Sequence, residues 1–506
     1  MPEPERSIQE AGTLWQLLAT RAAASPERPM LIDERDRRLA FAAFRARAER
    51  VAAGLHALGI GEGTPVTWQL PTRIESVLLS MALSRLGAVQ NPILPIYRER
   101  EVAAVLRETG ARWLIVPGVF RGFDHGALAR TLQARAAARF EILNADEALP
   151  EGDPAALPPA PSDGDAVRWI YSTSGTTGTP KCVRHTDATL IAGGRGLARA
   201  LAASEPDVGS IPFPYTHIGG PDYLVMLLLR GMSAVLLESF VPEQAVAVFR
   251  RHGVTLSGGS TAFYQAFLAE QRKQPGTKLL PSLRALAGGG APKPPEVFWQ
   301  ARRELGVPIL HGYGMTECPM IASGSPGDSD EQLANTDGKP VVGCEVRVVD
   351  GEIRVRGPML CRGYTDAALT ATAFDEDGFF RTGDLGHLRA DGHVVLTGRS
   401  KELIIRKGEN VSPREIEDLL ATHPSVSAVA VIGLPDAERG ERVCAVVEAR
   451  PGAAPLSFGE LQAFCRKAGL MAQKIPEQLE VVDALPRNAT LKILRHELRA
   501  RFSRSP

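Results

Sequence analysis

Between Tyr171 and Lys181 the chain reads YSTSGTTGTPK, with six Ser or Thr hydroxyls, two glycines and one lysine. Glycines at 175 and 178 permit positive φ, so successive N–H groups can converge on an anion. The hydroxyls of Thr173, Ser174, Thr176 and Thr177 add donors, and Lys181 adds a charge, a set suited to a polyphosphate. The Walker spacing fails: Gly175 is followed by Gly178 and then Lys181, and Cys182 follows the lysine. No G-x-G-x-x-G run is present, which argues against a Rossmann nucleotide site.

Four more segments follow in order: GGGAP at 288–292, HGYGMTE at 311–317, RTGDL at 381–385 with Gly398 and Arg399, and PRNATLK at 486–492. With the first loop, they resemble the signatures of the acyl-adenylate-forming superfamily. That superfamily holds acyl- and aryl-CoA synthetases, peptide-synthetase adenylation domains and beetle-type luciferases. The resemblance spans roughly residues 10 to 500. It implies an enzyme using ATP, Mg²⁺ and a small-molecule carboxylic acid, with CoA as co-substrate in the acyl-CoA synthetase branch.

The resemblance also implies roles. Thr173, Ser174, Gly175, Thr176, Thr177, Gly178 and Lys181 would cradle the phosphates. Glu317 would hold the metal, with Thr316 beside it on the phosphates. Tyr313 would stack on adenine in a slot lined by Gly289, Gly290, Ala291 and Pro292, with His311, Gly312 and Gly314 around it. Asp384 would accept the ribose hydroxyls next to Arg399, and Lys492 would bridge the carboxylate and the α-phosphate. His217 falls at the acyl-pocket position. Each role suits the chemistry, because bringing two anions together for in-line attack requires positive charge and a metal. The tail motif departs from the family pattern: Leu491 stands where glycine is usual and Asn488 where threonine is common.

A lysine near residue 490 can serve a site built from the first 400 residues only if the tail docks there, so a hinged domain is expected. Lys401 occupies the family's hinge position, and Gly408 would leave room for a pantetheine thiol after the tail swings. The presumed acyl wall of Tyr215, Ile218, Met315, Cys318, Pro319 and Met320 is apolar with no paired charge. That suits a medium-chain, alicyclic or aromatic acid. A carrier-protein acceptor and a catalytically silent nucleotide-binding homologue are the alternatives.

The elements that must position these groups are legible in outline. Helical spacing at 14–24 and 41–58 alternates with strand-like runs at 65–70, 113–117 and 167–171, which points to βαβ units around a parallel sheet. Further strands are expected at 233–237, 254–257, 283–287 and 307–310. Turns at Asp350-Gly351 and Asp391-Gly392 mark antiparallel hairpins, read as a small β-barrel or meander. Ser412-Pro-Arg-Glu415 reads as a capping box opening a helix in a small α+β tail. The fold class is therefore α/β: an N-terminal adenylate-forming domain over 1–399 and a mobile C-terminal domain over 400–506.

Lys plus Arg and Asp plus Glu are balanced at 58 each, which argues against nucleic acid or an anionic membrane as the main partner. Six scattered cysteines form no C-x-x-C pair, as expected of a reducing cytoplasm. The apolar window at 222–240 is broken by Arg230 and reads as a helix followed by a strand, with no transmembrane segment. A homodimer is compatible with the reading.

Overall fold

The computed structural model describes residues 3–135, 139–145, 148–173, 180–406, 409–436, 438–454, 456–488 and 491–503. Among these residues two mostly parallel sheets form the bulk of the chain. One runs in spatial order Lys339–Pro340, Cys318–Ser323, Ile309–Met315, Ala285–Gly289, Leu256–Gly259, Val208–Ile211, Ser233–Leu236, Pro29–Asp33 and Arg38–Ala40. The other runs Lys181–Thr186, Val167–Thr173, Val89–Pro92, Pro65–Trp68, Trp113–Val116 and Glu141–Asn144. Helix Ile74–Leu86 is buried on almost every side and touches a strand of each sheet. Its continuous apolar run, unlike the one-sided stripe of a surface helix, is what such a position requires.

Helices Leu14–Ala24 and Phe41–Ala57 form where the spacing predicts them. The first is capped by Thr13, whose hydroxyl accepts from the Gln16 N–H, and it buries Leu14, Trp15, Leu17 and Leu18. The run beginning at Asp222 is a helix, Gly219–Arg230, followed by strand Ser233–Leu236. Among the described residues no helix is long and apolar enough to cross a membrane.

Three strands lie further along the chain than expected. Leu256–Gly259, Ala285–Gly289 and Ile309–Met315 run on into the glycines. Their register pairs Gly259 with Gly288, Gly288 with His311 and Gly289 with Gly312. Side-chain patterning cannot reveal a strand end made of glycine, because backbone pairing is all that holds it. The consequence is functional. The glycine-rich segments lie at the carboxyl ends of adjacent strands, where open α/β sheets place their ligands.

Of the two shapes expected for the antiparallel unit, the described residues form the meander: Glu345–Val349, Glu352–Arg356, Phe380–Leu388 and Val394–Arg399 in sequential order, with no pairing that closes a barrel. Asp350 and Gly351 both have positive φ, 52° and 79°, the two-residue turn whose twist matches the flanking strands.

The C-terminal domain has its own sheet: Glu409–Val411, Ile404–Arg406, Gly440–Ala449 and Val426–Asp436, with Gln478–Val482 parallel on Gly440–Ala449. It also has its own core around Ile404, Ile416, Leu420, Val431 and Leu461. Helix Pro413–Leu420 starts at Ser412 with proline in its first turn, but the expected capping box does not form. The Ser412 hydroxyl donates instead to the Thr397 carbonyl at 2.5 Å. Arg414 Nη2 of the same helix lies 3.5 Å from Asp337 Oδ1. The box further along does form, between Ser457 and Glu460.

Candidate active site

Strand Val167–Thr173 returns as the antiparallel strand Lys181–Thr186, with Thr173 opposite Lys181. The phosphate-loop residues between them, Ser174, Gly175, Thr176, Thr177 and Gly178, lie outside the described residues, as does Gly408 of the tail hairpin. The loop's two anchors are fixed by sheet pairing. Lys181 Nζ lies 5.5 Å from the centroid of the Tyr364 ring.

That tyrosine connects the loop to Glu317. The Tyr364 hydroxyl donates to Glu317 Oε1 at 2.7 Å, and the Glu317 carbonyl accepts from the Cys361 N–H at 2.8 Å. Glu317 is 8% exposed, and its carboxylate is held by the Tyr364 hydroxyl. Thr316 beside it is positioned through its backbone. His185 is fully buried, and its Nε2 lies 2.7 Å from the Thr316 carbonyl while Nδ1 lies 2.9 Å from Thr189 Oγ1. A carbonyl can only accept, so Nε2 carries the proton. Burial holds this imidazole neutral, with its pKa near 4.

Tyr313, Asp384 and Arg399 form one network. The Tyr313 hydroxyl donates to Asp384 Oδ2 at 2.7 Å, and Arg399 Nε donates to Oδ1 at 2.8 Å. Sheet geometry sets this up, since Asp384 and Arg399 are direct cross-strand partners. A further bond runs from the Asp384 N–H to Thr382 Oγ1 at 3.0 Å.

Lys492 reaches this group from the tail. A Cβ built on Gly290 would lie 3.2 Å from its Cε and 3.5 Å from its Nζ. Gly290 has φ 81°, so both the backbone and the lysine oppose a side chain there. Burial first and the Arg399 charge second lower the Lys492 pKa to about 8, against the opposing pull of Asp384 and Glu317. His217 is pushed down to about 3, by burial first and then by the Lys492 charge. Its Nδ1 accepts from the Gly219 N–H at 3.3 Å. The lysine thus shares one electrostatic neighbourhood with Glu317, Asp384, Arg399 and His217.

The remaining candidates fall at the edges. A Cβ on Gly289 would sit 2.1 Å from the Gly312 carbonyl oxygen, so these glycines also let two strands pack. Pro292 accepts from Thr261 Oγ1 at 2.7 Å. His311 is 3% exposed and packs edge-on to Tyr264; burial drives its pKa to about 3. Gly314 packs against the Pro319 backbone, and Ala291 lies beside His311. Lys401 is exposed in the turn Ser400–Glu402 between the meander and the tail sheet.

The presumed acyl wall is divided. Tyr215 and Ile218 belong to the main core, whereas Cys318 and Met320 pack in a second cluster that Met315 also touches. The wall was expected to carry no paired charge, and an acid, Asp222, is buried beside it. This carboxyl is 3% exposed, and among the described residues its Oδ1 has no hydrogen-bond partner. A Cβ on Gly193 would lie 2.6 Å from that oxygen and 3.3 Å from Pro319 Cβ. Burial raises the Asp222 pKa to about 8. Folding therefore takes up a proton between roughly pH 4 and 8, and stability falls as pH rises through that window. Asp222→Asn is expected to raise the unfolding midpoint by about 2–4 °C at pH 8, with a much smaller gain at pH 4.5. Equal gains at both pH values would refute the neutral carboxyl.

Sequence reasoning missed His185, Tyr364 and Asp222. His185 and Tyr364 act on motif residues from outside the motifs, and nothing in their local sequence marks them. Asp222 was visible as an acid in an apolar helix, but its lack of a cation partner was not.

The AMP-binding enzyme family matches residues 18–365, and the AMP-binding enzyme C-terminal domain matches residues 415–492. The chain is 31% identical to the medium-chain fatty-acid–CoA ligase of Escherichia coli, over 96% of this chain and 89% of that protein. It is 32% identical to a salicyl-AMP ligase / salicyl-S-ArCP synthetase of Mycobacterium tuberculosis, over 95% and 89%. The solved structure of ATP-bound MatB from Rhodopseudomonas palustris superposes with a TM-score of 0.87 at 27% identity, covering 98% of this chain and 99% of that one. With the five ordered motifs and a tail lysine beside Gly290, these matches make the chain a member of the AMP-binding enzyme family and an adenylate-forming ligase.

Proposed function

We propose that this ligase activates a carboxylic acid as its acyl-adenylate and passes the acyl group to the thiol of CoA, releasing pyrophosphate and AMP. The observation that carries the first half is the convergence of Lys492, from the tail, with Glu317, Asp384 and Arg399 from the body of the chain. In this reading Asp384 and Arg399 hold the ribose while Tyr313 packs on the base. The loop from Thr173 to Lys181 grips the phosphates.

Glu317 fits a magnesium ion that travels with ATP, because such an ion needs only one or two carboxylates besides the phosphates. Bound there, the ion would neutralise charge on the phosphate oxygens. Tyr364 orients the receiving carboxylate through its 2.7 Å bond, and His185 fixes the Thr316 backbone next to it. Lys492 supplies the cation that brings the acid's carboxylate to the α-phosphate.

CoA as acceptor is supported by the synthetase branch among the relatives. In the proposed second step the domain over 400–506 turns at Lys401, withdrawing Lys492 and bringing the Gly408 hairpin to the site. Neutral His217 and neutral Asp222 beside an otherwise apolar wall fit an uncharged acyl tail: medium-chain, alicyclic or aromatic. The setting is a cytoplasmic one.

The deciding assay supplies ATP, Mg²⁺ and a panel of carboxylic acids, with CoA in one arm and phosphopantetheinyl carrier proteins in another, and measures AMP. The expected result is acid-dependent AMP release driven by CoA. Release only with a carrier protein would transfer the acyl group elsewhere, and no release with any acid would overturn adenylation. A pH profile adds an internal check. Lys492 is cationic below about 8 and neutral above it, so kcat/KM for adenylation should fall as pH rises through about 8. A profile flat to pH 10 would contradict the lysine's role.

A further inference from the structure

Leu491 precedes Lys492 and has φ 61°, in the left-handed region that glycine enters freely and leucine rarely does. The turn around it is closely tied. The Leu491 N–H donates to the Asn488 carbonyl at 2.9 Å, and Arg487 Nη1 donates to the Leu491 carbonyl at 3.1 Å. The Lys492 N–H donates to Asn488 Oδ1, and the Asn488 N–H to the Lys492 carbonyl, both at 2.9 Å. Glycine would satisfy every one of these backbone bonds without strain.

What glycine lacks is the side chain, and that side chain has a specific neighbour. Leu491 packs against the main hydrophobic core, whose buried members all come from residues 8–334. Among the described residues it is the only one of the C-terminal domain to do so. Its apolar surface is therefore sheltered by the other domain, and only while the tail loop is docked.

We propose that Leu491 is a positioning residue, a latch that seats the tail loop on the N-terminal core and so holds Lys492 beside Gly290 before substrate arrives. Strain in the backbone is offset by burial in the docked arrangement alone. When the domain turns away, the leucine returns to water while the turn remains strained. The latch thus favours the adenylating arrangement and opposes the thiol-transfer one. This inference rests on the proposed two-step reading.

The test uses the full-length protein with Leu491→Gly, Leu491→Ala and, as conservative rescue, Leu491→Met. Three quantities are measured: hydrogen–deuterium exchange over residues 285–294 without substrate, acid-dependent ATP–pyrophosphate exchange, and thiolysis of a supplied acyl-adenylate by CoA. Loss of a half-buried leucine should shift docking by about five- to tenfold. Exchange over 285–294 should therefore rise, and adenylation should fall by about that factor, in the Gly and Ala variants. Thiolysis should hold or accelerate, Met should restore the wild-type pattern, and the unfolding midpoint should be unchanged.

If Leu491→Gly adenylates at least as fast as wild type with unaltered protection, the latch is refuted. A parallel fall in both half-reactions, which is what a merely structural role predicts, refutes it too. Raised exchange over 285–294 in a protein that adenylates no acid would keep the latch and overturn the two-step reading.

Discussion

Replacing Lys492 with alanine is expected to slow acid-dependent ATP–pyrophosphate exchange by about 10²- to 10³-fold, the scale of losing one charge-stabilising donor at a reacting centre. The argument is one of supply. The attacking carboxylate and the α-phosphate repel each other, and among the described residues facing this spot Arg399 is committed to Asp384 at 2.8 Å. Lys492 is the cation that the tail places beside Gly290, with its charge tuned by burial and by Arg399. If the tail domain turns as proposed, removal of the lysine should spare the other half-reaction. A supplied acyl-adenylate should still be thiolysed by CoA within about twofold of the wild-type rate. Equal loss in both steps would show that the alanine had damaged the fold rather than the chemistry. Retention of exchange within tenfold would remove the lysine from the mechanism.

The motif strings were legible in the sequence as matches to a family pattern, and the structure brings Tyr313, Asp384 and Arg399 from them into one network. Asp384 and Arg399 lie fifteen positions apart, yet the turn at Asp391-Gly392 already implied a hairpin, and hairpin register makes them partners. What stayed hidden depends on long-range packing. Tyr364 reaches Glu317 across 47 positions and His185 reaches Thr316 across 131, and no local pattern encodes such distances. Ser412 looked like a helix cap, but its hydroxyl bonds Thr397 in the antiparallel strand Val394–Arg399. Tertiary contact outcompeted local propensity there. Leu491 was legible as a departure, but its meaning was not. Only the positive φ together with the packing on the other domain turns an odd residue into a device.

Glu317→Gln should be nearly as damaging as loss of the lysine, with activity down about 10²-fold and an apparent affinity for Mg-ATP weakened in parallel. Glutamine keeps the volume and can still accept from the Tyr364 hydroxyl, so the local packing survives while the formal charge is lost. That separation makes the variant informative. Tyr364→Phe does the converse: it keeps the carboxylate and removes the 2.7 Å bond that orients it, and should cost only about three- to tenfold. The two changes touch one interaction, so their effects should not add. Once the charge is gone, the orienting hydroxyl has little left to orient, and the double variant should resemble Glu317→Gln alone. Titration with Mg²⁺ at fixed ATP provides the independent reading. The requirement should shift to higher metal in Glu317→Gln and hardly move in Tyr364→Phe. An unchanged metal requirement in Glu317→Gln would place the ion elsewhere and leave Glu317 as a buried partner of Tyr364.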